Sequence, residues 1–370
     1  MKYSILLATA ASVKAAQDGK CRVLALSSGD EDAAYQAGAL KGIVTSDKLQ
    51  AEQYQYNAIT GVSGGALNAV LLANHTIGDE AAAADRMQQF WIDASNNELY
   101  KSWVGGISRG LFFEGGLYNS APLEDFLKKE FYDVNVQRDI NMGITNMNDG
   151  SFDAFSDKNI TQGGNLIDAM YASMSFAGFF PPAEVLGSAW MDGSAIWDLD
   201  IFSGVNRCIE AGFSEDQIDV DVIMTSSANL KHVQAEDYKS ISMLFRYLEI
   251  SSFYNSMDGL LRAQYAYKNV NFRYVISPTG EIPSSLKPLS LSEADIKAAQ
   301  EMGVKDAQAA IAQGETQSIK DLTHYYALKK VGSPLIKGKT YGDFLAAKAN
   351  GELPEYDIKA DPYMKKYLLQ

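Results

Sequence analysis

Apolar and polar positions along this chain fall into blocks of two periods. Short, nearly unbroken apolar runs at Arg22–Ser28, Tyr56–Thr60 and Asp219–Thr225 predict strands buried on both faces. Stretches rich in helix formers lie between them, at about Asp32–Val44, Ala66–Ala73 and Asp79–Ala94. Asp139–Met147 and Ser151–Phe155 predict two strands joined at Asn148-Asp149-Gly150, a hairpin signal. Leu166–Ser175 predicts a helix of apolar and small residues that Phe179-Phe180-Pro181-Pro182 stops. Strands alternating with helices predict an α/β fold whose largely parallel sheet is covered on both faces.

Beyond Leu289 the pattern changes. Ser292 is placed to cap a helix, Lys297–Ala312 is alanine-rich and amphipathic, and the last forty or so residues carry many lysines and tyrosines. No internal repeat or low-complexity linker divides the chain. The expected organisation is a leader over 1–16, a catalytic domain over 17–288 and a helical C-terminal extension over 289–370 packed on it.

Charge narrows the partners. The 370 residues hold 32 Lys and Arg against 46 Asp and Glu, a net charge of −14. Nucleic acid is excluded as a partner, because its phosphates would be repelled, and so is adsorption to anionic membranes by charge alone. An early Lys2, a short apolar stretch and the Ala15-Ala16 pair predict a secretory signal, interrupted by Lys14. No segment supplies the eighteen or more apolar residues of a membrane span, so a soluble exported product is expected. Cys21 and Cys208 could form one disulfide, although the sequence does not show that they meet, and a structural zinc site is not expected from two cysteines and three scattered histidines. Sequons stand at Asn74-His75-Thr76 and Asn159-Ile160-Thr161.

The chemistry centres on Gly61-Val62-Ser63-Gly64-Gly65, set between a predicted strand and a predicted helix. A serine on a sharp strand-to-helix turn presents its hydroxyl outward, beside a helix N-terminus that favours negative charge, and Gly61 and Gly65 leave room for the turn. A serine nucleophile needs a base and oxyanion donors. Asp192 of Met191-Asp192-Gly193 is a candidate base; the same Asp-Gly pair is also an ordinary turn, as at Asp149-Gly150 and Asp258-Gly259.

The order of these segments is what marks them. The elbow at Ser63, the Asn-Met-Asn-Asp-Gly hairpin, Ser173-Met174-Ser175-Phe176-Ala177-Gly178-Phe179-Phe180-Pro181-Pro182 and then Asp192-Gly193 together resemble the patatin-like phospholipases, from about Arg22 to Ala228. The resemblance implies a three-layer α/β/α sandwich and a Ser–Asp dyad that hydrolyses lipid acyl esters without histidine, metal or other cofactor. Carried over by position, Ser63 is the nucleophile and Asp192 its partner. The implied substrate is a lipid met at a membrane or micelle surface.

One segment departs from the family. A glycine-rich loop with a basic residue usually follows the first strand and holds the oxyanion; here it reads Ser28-Gly29-Asp30-Glu31-Asp32-Ala33. The amides of Gly29 and Asp30 are the candidate donors. If the carboxylates face the cleft, one charge at about 4 Å opposes the oxyanion by roughly 4 kcal/mol, or about a thousandfold in rate. If they cap the following helix and face solvent, the amides remain usable. The alternative to a hydrolase is therefore a lipid-binding relative with an impaired oxyanion loop. A Ser–Asp–His triad with His232 or His324 has the chain order of an α/β-hydrolase, while His75, twelve residues after Ser63 on one helix, would lie about 18 Å away. Phe112-Phe113, Tyr171, Phe179-Phe180 and Trp190 are candidates to line an acyl pocket, and Tyr238–Tyr254 is either a lipid-facing cap or an interior helix.

Overall fold

A computed structural model describes residues 18–161, 165–185, 187–225, 230, 233–234, 236, 239–283 and 289–354, apart from the side chains at 161, 241 and 245. The expected leader and His232 lie outside the described residues.

The sheet has eight strands. Five run parallel in the order β10 (Asn271–Ile276), β9 (Ile218–Ile223), β1 (Cys21–Leu26), β2 (Ala58–Val62), β5 (Asp139–Asn146). The far end is antiparallel: β6 (Phe152–Ser156) forms the expected hairpin with β5, and β8 (Ser188–Asp192) pairs with β5 and with β7 (Ala183–Val185). A separate two-stranded ribbon joins β3 (Lys101–Ser102) to β4 (Tyr118–Asn119).

Alternation along β1 divides the core in two, as a strand's period of two requires. Leu24 and Leu26 face one layer; Cys21, Val23 and Ala25 face the other. The first layer holds α1 (Ala33–Val44), α2 (Gly64–Ala73), α3 (Glu80–Ser95) and α7 (Leu166–Ser173), with α4 (Gly106–Phe113), α5 (Ala121–Glu130) and the short α6 (Asp157–Thr161) in the intervening chain. The second holds α8 (Ile201–Glu210) and α9 (Ser240–Ala266). These layers make the α/β/α sandwich with its mainly parallel sheet.

The C-terminal helices α10 (Glu293–Ala312), α11 (Gln317–Lys330) and α12 (Tyr341–Ala349) pack into both layers. Ser292 caps α10 by accepting from the Asp295 amide, as its sequence implied. Helix α10 lies tightly on α1, where a Cβ at Gly38 would sit 2.0 Å from the Gln300 carbonyl oxygen. Cys21 of β1 and Cys208 of α8 are joined in a disulfide, closing a separation of 187 residues around the elbow and the Asp-Gly segment. No helix among the described residues is long and apolar enough to cross a membrane.

Candidate active site

Strand register brings the two ends of the site together. On one side of β5, Gly143 pairs with Ala154 and Ile144 with Asp153, both in β6. On its other side Gly143 pairs with Val62, the last residue of β2, and Ile144 pairs with Asp192, the last residue of β8. The antiparallel strand thus takes over the edge of β5 where the parallel strand leaves it, and Ser63 and Asp192 meet at that junction.

Ser63 stands between β2 and α2 at φ 54°, ψ −127°, a backbone state that costs a non-glycine residue about 1–3 kcal/mol. The surroundings hold it there. Its amide donates to Ser173 Oγ at 2.8 Å, and that hydroxyl donates onward to the Gly143 carbonyl at 2.8 Å. Its Oγ lies 3.9 Å from Met174 Sδ. The elbow glycines are needed for close approach: a Cβ at Gly61 would fall 2.2 Å from the Gly65 carbonyl oxygen, and one at Gly65 2.3 Å from that of Ser27.

Asp192 is buried, accepts from the Ser194 amide at 2.8 Å and donates its own amide to the Ser175 carbonyl at 3.1 Å. Burial pushes its carboxyl up to about 6, against hydrogen bonds from Ser194 and Ser63 that pull it down, and the nearby Asp198 charge adds to the rise. Gly193 lies against β5, where a Cβ would come 2.5 Å from the Gly143 carbonyl oxygen. The Asp-Gly pair is therefore more than a turn: glycine lets the aspartate approach the strand that also positions the serine.

The acidic loop turns inward. Asp30–Asp32 form a single 3-10 turn ahead of α1, and Asp30 takes φ 42°. Asp30 Oδ1 is sealed from solvent with no hydrogen-bond partner among the described residues, although the residue as a whole keeps partial exposure. Burial, then the charges of Glu31 and Asp192, push its carboxyl well above the ordinary range. Glu31 is buried and accepts from the Leu289 amide at 2.5 Å; burial and the Asp32 charge carry it to about 7. The solvent-facing orientation is thus not the one adopted by Asp30 and Glu31. Burial thus disfavours charge on both Asp30 and Glu31, which lessens the charge penalty expected of this loop.

Two residues that the sequence did not single out build the loop. Asp198 accepts from Ser28 Oγ and Ser256 Oγ, and its carbonyl accepts the Ser28 amide at 2.9 Å. Thr225 donates its hydroxyl to the Ser28 carbonyl and fills the space where a Cβ on Gly29 would sit. Ser173 was visible in its motif, but its work on the Ser63 amide depends on a contact 110 residues distant in sequence.

The described histidines, His75 and His324, stand apart from this arrangement. His75 follows α2, its carbonyl accepting from Arg138 Nε at 2.8 Å. His324 is buried in α11, its ring edge-on to Phe344 of α12. The aromatic candidates divide. Phe179 and Phe180 are buried with Tyr118, Trp190 is buried, and Tyr171 hydrogen-bonds Ser120 at 2.7 Å. Phe112 and Phe113 instead lie on the surface, which corrects their assignment to a pocket. The first half of α9 exposes Met243, Leu244 and Tyr247, while Phe253, Met257 and Leu260 in its second half are core, so neither reading of that stretch covers the whole helix. No group of three or more candidate metal ligands occurs among the described residues.

Fold and turn together define an α/β/α protein with a buried serine elbow at the end of a strand of a mainly parallel sheet. Comparison with protein families adds to this: residues 24–201 match the family model of the patatin-like phospholipases. No curated protein sequence matches the chain significantly. Among solved structures, VipD from Legionella pneumophila is similar at 12% identity and a TM-score of 0.41, over 92% of this chain and 82% of that one.

Proposed function

We propose that this chain hydrolyses fatty-acyl esters of phospholipids or related lipids through Ser63 and Asp192. The observation that carries the proposal is the register on β5 that brings the Ser63 elbow to a buried Asp192, whose carboxyl burial pushes up to about 6. Such a carboxylate is ionised at neutral pH yet a stronger base than an exposed one.

In the first half-reaction Ser63 Oγ attacks the ester carbonyl while its proton passes to Asp192. The tetrahedral oxyanion is met by the amides of Gly29 and Asp30 and by the N-terminus of α2, whose first amides have no intrahelical acceptor. As the carbonyl reforms, the C–O bond to the alcohol breaks and Asp192 returns the proton to it. In the second half-reaction Asp192 takes a proton from water, whose oxygen attacks the acyl-enzyme. The proton then returns to Ser63 as the fatty acid leaves. No step calls for a metal or cofactor.

The alternative, a lipid-binding relative that does not turn over, is favoured by one observation: the partnerless Asp30 Oδ1 beside the site. Labelling with a fluorophosphonate separates the two. The hydrolase reading expects wild type to label, Ser63→Ala not to label, and Asp192→Asn to label at least tenfold more slowly. A folded wild type that fails to label makes lipid binding the function. The Cys21–Cys208 disulfide supports an oxidising compartment, consistent with export.

A further inference from the structure

The exposed large apolar side chains of this protein are not scattered evenly. Five of them, Val104, Ile107, Leu111, Phe112 and Phe113, fall within ten residues in and just before α4, and Val104, Phe112 and Phe113 are 99%, 72% and 74% exposed. Such clustering marks an interaction surface, whereas single exposed apolar residues are ordinary. The segment is nonetheless well built. The β3–β4 ribbon closes its base, pairing Lys101 with Asn119 and Ser102 with Tyr118. Trp103 Nε1 donates to the Gly116 carbonyl at 3.0 Å, and α4 lies so close to the returning chain that a Cβ at Gly110 would sit 2.4 Å from the Leu117 carbonyl oxygen.

The same returning chain is fastened to the site. Leu117 and Tyr118 donate their amides to the carbonyls of Gly178 and Phe179 at 3.1 and 2.9 Å. Those residues come three and four positions after Ser175, whose carbonyl holds the Asp192 amide, and Met174 before it touches Ser63. The apolar tip is thus two short connections from the reacting groups.

Charge identifies what it meets. Between Trp103 and Leu117 the only charged residues are Arg109 and Glu114, which pair with each other at 2.6 Å. A neutral apolar tip on a chain of net charge −14 suits a lipid surface without net charge, and an anionic one would repel the body behind it.

We infer that the 103–113 segment inserts into a zwitterionic lipid surface and sets the Ser63 site against it. This deepens the lipid-hydrolase reading and rests on it for the substrate, but its test needs no turnover. Full-length Ser63→Ala protein is sedimented with phosphatidylcholine vesicles, alone and carrying either Phe112→Glu with Phe113→Glu or, independently, Val104→Glu. The expected result is binding by Ser63→Ala and at least a tenfold loss of partitioning in the double variant, with a smaller loss for Val104→Glu. In the Ser63 background, the same changes should leave hydrolysis of a soluble short-chain ester within about twofold.

Binding unaffected by both sets of changes would overturn the inference, as would absence of binding by Ser63→Ala itself. Stronger binding to phosphatidylglycerol vesicles than to phosphatidylcholine would overturn the assignment of a neutral surface. If the changes instead convert a dimer to a monomer and leave vesicle binding intact, the tip is an interface between copies. Failure of the hydrolase reading shows up separately, as vesicle binding by a wild type that neither labels nor turns over ester.

Discussion

Replacing Asp192 by asparagine should do two opposite things: remove the base and stabilise the fold. The second effect can be sized from the structure. Burial carries this carboxyl from its ordinary 3.8 to about 6, so folding favours its protonated form. At 1.36 kcal/mol per pH unit, the ionised group costs the native state about 3 kcal/mol. A raised folded-state value means that the native state binds more protons than the unfolded one between pH 3.8 and about 6. Wild-type stability from this group is therefore intact below that window and lost as pH rises through it. Asparagine keeps the shape and an oxygen for the Ser194 amide without titrating. Urea denaturation of wild type and Asp192→Asn at pH 4 and pH 8 isolates the effect, since other groups titrate alike in both proteins. The variant should match wild type at pH 4 and exceed it by about 3 kcal/mol at pH 8. A difference that stays constant between the two pH values, or a variant less stable at pH 8, would refute the argument. Either would mean that Ser63 and Ser194 stabilise the carboxylate more than burial penalises it.

The remaining predictions concern turnover and the frame around it. On a soluble ester, kcat/KM should fall about tenfold per pH unit below about 6, as Asp192 gains its proton. Burial pushes the Asp30 carboxyl up, and once ionised it would oppose the oxyanion by roughly 4 kcal/mol at about 4 Å, so activity should fall with rising pH more in wild type than in Asp30→Asn; a fall of equal size in the variant would clear Asp30. Ser173→Ala leaves the buried Ser63 amide unpaired, a loss of about 1–3 kcal/mol that should lower kcat roughly 10- to 100-fold with KM little changed. Opening the Cys21–Cys208 bridge by a double serine substitution removes a constraint spanning 187 residues, worth up to about 5 kcal/mol, and a melting temperature equal to wild type would show that it does not matter.

Much of the fold was readable because its strands are buried on both faces and its helices carry strong formers. Strands expected at Arg22–Ser28 and Asp219–Thr225 are present over Cys21–Leu26 and Ile218–Ile223, and the elbow helix opens directly after Ser63. What escaped was nonlocal or short. Strands β7 and β8 are three and five residues long, and nothing periodic distinguishes them from a loop. Their pairing with β5 nevertheless puts Asp192 at the elbow. The predicted helix before Phe179-Phe180-Pro181-Pro182 stops at Ser173, earlier than the prolines would enforce. The chain beyond it is committed instead to holding Ser63, Asp192 and the returning α4 segment. Asp30 read either as a charge facing the cleft or as a helix-capping acid, and the contacts of Asp198 and Thr225 with Ser28, two residues before it, cannot be seen locally.

The disulfide has a consequence beyond the stability of the sheet. Ser63 lies on one side of the protruding 103–113 segment and Asp192 on the other, and both fall inside the covalent ring closed at Cys21 and Cys208. A protease that cuts the exposed tip would separate the two residues in sequence without releasing either, because the fragments stay cross-linked and β2, β5 and β8 remain in register. A nicked protein should migrate at full mass without reductant and as two fragments with it. A break in this exposed tip thus leaves the reacting groups held together.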